Sequence, residues 1–154
     1  MLLNILSVGN KLSEWESAGI SYYLKQLPKT VDINFVNIKG QQHPKKSRNE
    51  ILKSESEMII SKIPTENFII SWDSNGEKLN SIELSQFFEK AMTNNIKICF
   101  IIGGSFGLSK DIIKKSDRVI SASSLTFPHR LFRIILIEQI YRAFSIIKKL
   151  PYHK

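Results

Sequence analysis

The segment that most limits the folds open to this chain is Ile96–Ile102, apolar except for Lys97 and running straight into Gly103-Gly104-Ser105-Phe106-Gly107. The run is too short for a buried helix, and a strand with no polar alternation has to be covered on both faces. That is the condition of a parallel sheet held between helices. Other segments repeat it. Leu2–Val8 is an apolar run stopped by Gly9, and Asn67–Trp72 is a third. Val31, Ile33 and Phe35 alternate with polar residues on the way to Ile38, and Val119-Ile120-Ser121 forms a last short strand.

Between the strands lie helices marked by their caps. In Ser13-Glu14-Trp15-Glu16 the Ser13 hydroxyl can take an amide proton near Glu16 while Glu16 reaches back. This helix should run to about Leu27, before Pro28, with Trp15, Gly19, Tyr22, Tyr23 and Leu27 along one side. Ser47-Arg48-Asn49-Glu50 opens a second helix to about Ile63, and Asn80-Ser81-Ile82-Glu83 a third that ends near Asn94. Asp73-Ser74-Asn75-Gly76 reads as a turn closing the third strand. Lys110–Ser116 is a short helix, and a long one follows from Pro128, seated in its first turn, to about Lys149. The alternation predicts one α/β domain over residues 1–154, with a mainly parallel sheet and helices on both faces.

Composition narrows the class. One cysteine among 154 residues excludes a disulfide framework and a multi-cysteine zinc site, and fits a reducing, cytoplasmic setting. Cys99 itself lies in an apolar strand, as a core residue would. His43, His129 and His153 have no ligand spacing, so no metal is expected. No uncharged apolar run approaches the ~18 residues of a membrane span. The opening Met1–Leu6 has no positive n-region, so a signal peptide is not expected.

The net charge of +8 is unevenly placed. From His129 to Lys154 there are six bases and one acid, and Lys39, Lys45, Lys46 and Arg48 precede any acid in their stretch. On one face, the two clusters would suit a phosphate backbone; a solvated basic surface would have the same composition. The final helix is apolar around most of its circumference. Only Glu138, Arg142, Ser145 and Lys149 form a polar stripe. Such a helix needs cover on more than one side, and a second copy of the chain is the expected cover, as a homodimer.

Three segments could carry chemistry. The glycine run after Ile102 stands where ligands bind in open α/β sheets. Its spacing matches neither the dinucleotide fingerprint nor a phosphate-binding P-loop. Ser121-Ala122-Ser123-Ser124-Leu125-Thr126-Phe127-Pro128-His129 offers small residues, hydroxyls and backbone groups to a ligand edge. Beyond Pro151, Tyr152, His153 and Lys154 combine stacking, proton transfer and phosphate attraction, a suitable set for an extruded nucleotide. A tight turn, a plain helix entry and a frayed terminus are the bland alternatives.

Phe100–Leu108, Leu125–His129, Glu138-Gln139-Ile140-Tyr141-Arg142-Ala143 and Pro151–Lys154 together resemble the bacterial ribosomal RNA large subunit methyltransferase H family, a branch of the SPOUT methyltransferases. The likeness covers essentially the whole chain. It implies an α/β-knot fold with a C-terminal trefoil knot, a homodimer, and S-adenosylmethionine as cofactor. The implied reaction is methylation at N3 of a pseudouridine in helix 69 of 23S rRNA on the assembled ribosome. By the same resemblance, Trp72, Gly103, Gly104 and Ala122, Ser123, Ser124, Leu125, Thr126 and Phe127 hold the cofactor. Trp72 stands where leucine is usual, Glu77 where lysine is usual, and Lys154 where some relatives carry arginine. Tyr152, His153 and Lys154 would approach the target base, probing it across the dimer interface, with His129 as a further substrate contact. Arg142 or Lys154 would favour the deprotonated base or hold phosphate. His153 is the first candidate for proton removal, with water as the alternative. A non-catalytic rRNA-binding or ribosome-assembly factor is the competing reading, distinguished by whether the chain binds the methionine cofactor.

Overall fold

The computed structural model describes the whole chain, Met1–Lys154. Five strands, β1 (Leu2–Gly9), β2 (Asp32–Lys39), β3 (Asn67–Lys78), β4 (Lys97–Ile102) and β5 (Arg118–Ser121), form one sheet in the order β2-β1-β4-β3-β5. Every pairing is parallel. The helices are α1 (Glu14–Leu24), α2 (Arg48–Lys62), α3 (Ser81–Thr93), α4 (Lys110–Lys115) and α5 (His129–Ile147). The expected α/β architecture is what the chain adopts.

Side-chain alternation divides the core in two. Leu3, Ile5, Ile70, Ile98, Phe100 and Ile102 face α3 and α5, alongside Leu84, Phe88, Leu136, Ile140 and Phe144. Leu6, Val8, Ile69, Cys99 and Ile101 face the other way, against Ile59 of α2 and Ile112 of α4. Ile98 to Ile102 are therefore all buried, some by one layer of helices and some by the other. Burial also pushes the Cys99 thiol up to about 12, which leaves it protonated and inert.

Four readings of the sequence need correcting. Asp73–Gly76 does turn, with the Asn75 N–H donating to Asp73 Oδ2 at 2.9 Å, but it does not end the strand. Trp72 and Glu77 both pair with Ile120, so the four residues loop out and the chain rejoins β5 through Glu77 and Lys78. Gly76 crosses so close that a Cβ there would lie 2.7 Å from the Ile120 backbone. α1 ends at Leu24, and its buried residues are Glu16 and Ile20. Trp15 and Tyr22 instead point outward, 51% and 63% exposed. Pro128 caps α5 from outside its first turn, its carbonyl accepting from the Phe132 N–H at 2.9 Å. Ser145, read as part of a polar stripe, is buried, its hydroxyl donating to the Tyr141 carbonyl at 2.9 Å.

Arg133, counted among the bases of the last segment, is also buried. Its guanidinium donates to Ser7 Oγ at 2.7 Å, to the Val8 carbonyl at 3.0 Å and to Glu16 Oε1 at 3.2 Å. Both charged side chains of the pair are 1% exposed. Glu16 in turn accepts from the Ser13 N–H and hydroxyl through its other oxygen. One network thus joins the end of β1, the start of α1 and the start of α5. Gly9 makes room for it, since a Cβ there would fall 2.0 Å from Arg133 Nη2.

Burial pushes the Glu16 carboxyl up, but its Ser13 hydrogen bonds and the Arg133 and Arg130 charges hold it, on balance, below the usual 4.5. A carboxyl depressed on folding stabilises the protein above its unfolded pKa, and that contribution fades as pH falls through the folded value. Glu16→Gln should therefore lower stability by about 3–5 kcal/mol at neutral pH, the range for breaking a buried pair. The gap to wild type should shrink in acid below the usual carboxyl range. Denaturant unfolding at several pH values checks both, and a loss that stayed constant into strong acid would contradict the charge account.

Candidate active site

All five strands point their carboxyl ends the same way, so the loops after β1, β2, β3, β4 and β5 gather at one edge of the sheet. Three of them enclose a cleft of about 630 Å³. Its walls come from Trp72–Ser74, from Ile102–Ser105 with Gly107, from Ser121–Ser123 and Leu125–His129, and from Phe132 on the first turn of α5. The volume is within the ~300–1,000 Å³ typical of small-ligand sites.

The glycine loop is a hairpin. Gly104 and Gly107 bridge each other, with the Gly107 N–H donating to the Gly104 carbonyl at 3.0 Å. Gly107 has a φ of +73°, the left-handed region that glycine enters without strain. A Cβ on Gly103 would lie 2.5 Å from the Gly107 backbone. These glycines are required first by the hairpin's own closure, and the cleft inherits a wall of bare backbone.

The serine-rich bend is held from within and from β3. The Ser121 hydroxyl donates to the Ser123 carbonyl at 3.0 Å, and the Leu125 N–H donates to Ser123 Oγ at 3.0 Å. Lys78 Nζ donates to Ser124 Oγ at 2.7 Å, so the returning end of β3 fastens the bend. Ser124 does not line the cleft; the other expected cofactor contacts, Trp72, Gly103, Gly104, Ala122, Ser123, Leu125, Thr126 and Phe127, all do. Sequence reasoning missed Asp73, Ser74 and Phe132 as wall residues. The first two sat in a segment read as a plain turn, and Phe132 in a helix read as core.

The inner wall is aromatic. Trp72 packs on Phe132 and Phe100 with ring centroids 5.5 and 5.8 Å away. Its indole N–H is buried with no acceptor in the protein, the kind of group a ligand atom can satisfy. Asp73 and His129 are the only titratable lining residues; no lysine or arginine reaches the wall. Burial lowers the pKa of His129, and the neighbouring Arg133 and Arg130 lower it further against the opposing Glu16, so the ring is neutral at physiological pH.

Tyr152, His153 and Arg142 form a separate cluster. Glu138 Oε1 accepts from Arg142 Nη2 at 2.6 Å, from Arg142 Nε at 3.1 Å and from the Tyr152 hydroxyl at 2.9 Å. Arg142 lies over the Tyr152 ring at 4.7 Å, and its Nη1 is 3.4 Å from His153 Nδ1. A guanidinium can only donate, so Nδ1 accepts and the neutral imidazole carries its proton on Nε2. None of these side chains lines the cleft, and Lys154 is exposed. Glu138 lies about 14 Å along the helix axis from His129, at ~1.5 Å per residue. No group of three His, Cys, Asp or Glu side chains is placed to hold a metal ion.

Comparison with known proteins gives this geometry a context. The family described as "Predicted SPOUT methyltransferase" matches residues 1–153. Curated proteins named ribosomal RNA large subunit methyltransferase H are similar over their whole length and all of this chain. That of Clostridium botulinum (strain Hall) is 37% identical, and that of Finegoldia magna 39% identical. A solved structure of a probable methylase family protein from Haemophilus influenzae covers 99% of this chain and 70% of its own. It has a TM-score of 0.56 at 12% identity, which establishes shared fold only.

Gly103→Ala should lower stability by about 1–3 kcal/mol, the usual effect of overpacking, because the methyl meets backbone that has no room to move. Thermal unfolding of the purified variant measures it; an unchanged midpoint would contradict the closed-hairpin geometry.

Proposed function

This chain belongs to the SPOUT methyltransferases, in the ribosomal RNA large subunit methyltransferase H family, and from that premise we propose that it transfers the methyl group of S-adenosylmethionine to N3 of a pseudouridine in helix 69 of 23S rRNA on the assembled ribosome. The observation that carries the cofactor reading is the charge inventory of the cleft: one carboxylate, one neutral histidine and no Lys or Arg. A di- or triphosphate there would meet no cation. A ligand with a cationic sulfonium and an uncharged heterocycle matches an aromatic wall, a carboxylate and exposed backbone. Trp72, Phe132 and Ile102 would hold the adenosyl group, with Gly103, Gly104 and the 122–127 bend closing around it.

The RNA reading draws on what surrounds the cleft. Lys39 at the end of β2, Lys45 and Lys46 in the loop after it and Arg48 at the start of α2 lie at the same sheet edge, and Arg48 lies 5.4 Å over the ring of Phe106 in the glycine hairpin. Bases beside the cleft, and none within it, suit a phosphate backbone outside and a base inside. Arg133 is withdrawn from that surface by burial, and Arg142 is engaged by Glu138.

Two features support a homodimer. Trp15, Tyr22 and Leu131 are large apolar side chains left exposed on the adjoining helices α1 and α5. The tail is also remote from the cleft of its own chain, so a site that uses both takes them from two subunits. Family membership is what supports a C-terminal trefoil knot, in a chain whose α4 and α5 lie against opposite faces of the sheet.

When bound, S-adenosylmethionine supplies an electrophilic methyl and needs no protein nucleophile. The chain's part is to align the acceptor nitrogen in a dry cleft and to manage its proton. Lys154 favours the anionic imide or holds a flanking phosphate, while Arg142, paired with Glu138, and Tyr152 shape the tail that meets the base. His153 takes the proton once its ring parts from Arg142, because the contact with Nη1 occupies Nδ1 and leaves Nε2 already protonated.

Mass mapping of 23S rRNA from cells lacking this protein should reveal helix 69 without one methyl group, restored on complementation. An unchanged hairpin would overturn the substrate. With purified components, His153→Ala should lose turnover at neutral pH and recover it as rising pH ionises the imide without help. Full turnover at neutral pH would remove His153 from the proton-transfer role.

A further inference from the structure

The tail cluster has a centre that the proposed reaction does not employ. Glu138 sits on α5, where it and Gln139 follow the last residues that line the cleft; its side chain is 15% exposed. Its Oε1 accepts three hydrogen bonds, two from Arg142 and one from the Tyr152 hydroxyl, and its Oε2 accepts from Gln139 Nε2 at 2.7 Å. The Gln139 carbonyl oxygen then accepts from the Ser81 hydroxyl at 2.7 Å, which ties the group to the first residue of α3. α5 ends at Ile147, ahead of Pro151: Lys149, at a φ of +55°, and Leu150 close it by donating to the Ile146 and Ser145 carbonyls. Beyond them the tail has no regular structure to fix it. What holds Tyr152 is the Glu138 carboxylate at one end of its ring and the Arg142 and Tyr141 faces beside it, the latter 4.6 Å between centroids.

We propose that Glu138 is a positioning residue for methyl transfer: it fixes the Tyr152 phenol and the Arg142 guanidinium in one geometry, so that the last three residues leave α5 in a set direction. This rests on the reading that the tail acts on the base. Charge makes the arrangement specific. A carboxylate accepts from a guanidinium and a phenol at one oxygen and from Gln139 at the other, whereas an amide in its place would offer the guanidinium an uncharged acceptor and turn an N–H₂ group against the donating Gln139 Nε2. Without Glu138, Arg142 also lacks its counter-ion and is free to turn toward solvent or phosphate.

The test uses the full-length protein and compares Glu138→Gln and Glu138→Asp with wild type. Three quantities are read: single-turnover methylation of 70S ribosomes, the dissociation constant for S-adenosylhomocysteine, and the rate at which carboxypeptidase Y removes the last residues, followed by mass spectrometry. Glu138→Gln should slow methyl transfer at least 30-fold and release the tail residues at least 5-fold faster, with cofactor affinity within 2-fold of wild type. Glu138→Asp should recover part of both losses. If Glu138→Gln keeps full transfer, or loses it while the tail stays protected, the positioning role is overturned. Should Glu138→Gln fail to fold, Tyr152→Phe removes only the hydroxyl contact, and tail release no faster than wild type would overturn the role equally. Wild-type protein that methylates no ribosome would defeat the proposed function instead, while the carboxypeptidase comparison would still report on Glu138.

Discussion

A guanidinium buried between a serine hydroxyl, a backbone carbonyl and a carboxylate is the constraint on which the rest of this molecule depends. Arg133 cannot be in the core unless Ser7, Val8 and Glu16 meet it there, and they are supplied by the end of β1 and the start of α1. The requirement fixes where α5 begins. Once its first turn is fixed, Phe132 stands in the cleft wall, His129 at the cleft, and Glu138 and Arg142 further along, beside the tail. Gly9 and Gly19 serve the same end. One yields space to the guanidinium, and the other lets Ile134 come so near to α1 that a Cβ would lie 2.7 Å from its Cδ1. A purely apolar contact could slide along the helix. A charge with three directed partners cannot, and this is the specificity that a buried pair provides in place of much net stability.

The site is assembled by the same economy of position. A parallel sheet puts every strand-to-helix loop at one edge, and here two of those loops are closed by their own backbone and hydroxyls before any ligand is considered. The result is a cleft walled by main chain and aromatic rings, with bases held outside it. The proposed function would separate cofactor recognition from RNA attraction in space, and Arg48 over Phe106 is where the glycine hairpin meets the basic segment.

Much of this was legible in the sequence, for physical reasons that differ from one element to another. Ile96–Ile102 announced a strand covered on both faces, because no other short structure tolerates such a run; all of Ile98–Ile102 is buried. Asn80 and Glu83 gave α3 its start through a reciprocal cap that needs no tertiary information. The glycine run and the serine bend were readable as loops at strand ends, and they do enclose one space. What stayed hidden was decided between distant segments. Nothing near Arg133 distinguishes it from Arg130, since its burial depends on Ser7 and Glu16 more than a hundred residues away. The side of α1 that carries Trp15 and Tyr22 could be read, but not which side is buried, and the helix buries Glu16 and Ile20 instead. The rejoining of Glu77 and Lys78 with β5 depends on a strand that the chain reaches only forty residues later. The tie that Ser124 makes was hidden for a related reason: its hydroxyl is taken by Lys78, a partner no local pattern could name.

The most direct measurement of the central claim is calorimetric titration of the purified protein with S-adenosylhomocysteine and, separately, with ATP. A cleft without a single Lys or Arg in its wall predicts saturable binding of the thioether at one site per subunit and no heat from the triphosphate. Binding of ATP at that site, or indifference to S-adenosylhomocysteine, would contradict the account of what these loops enclose.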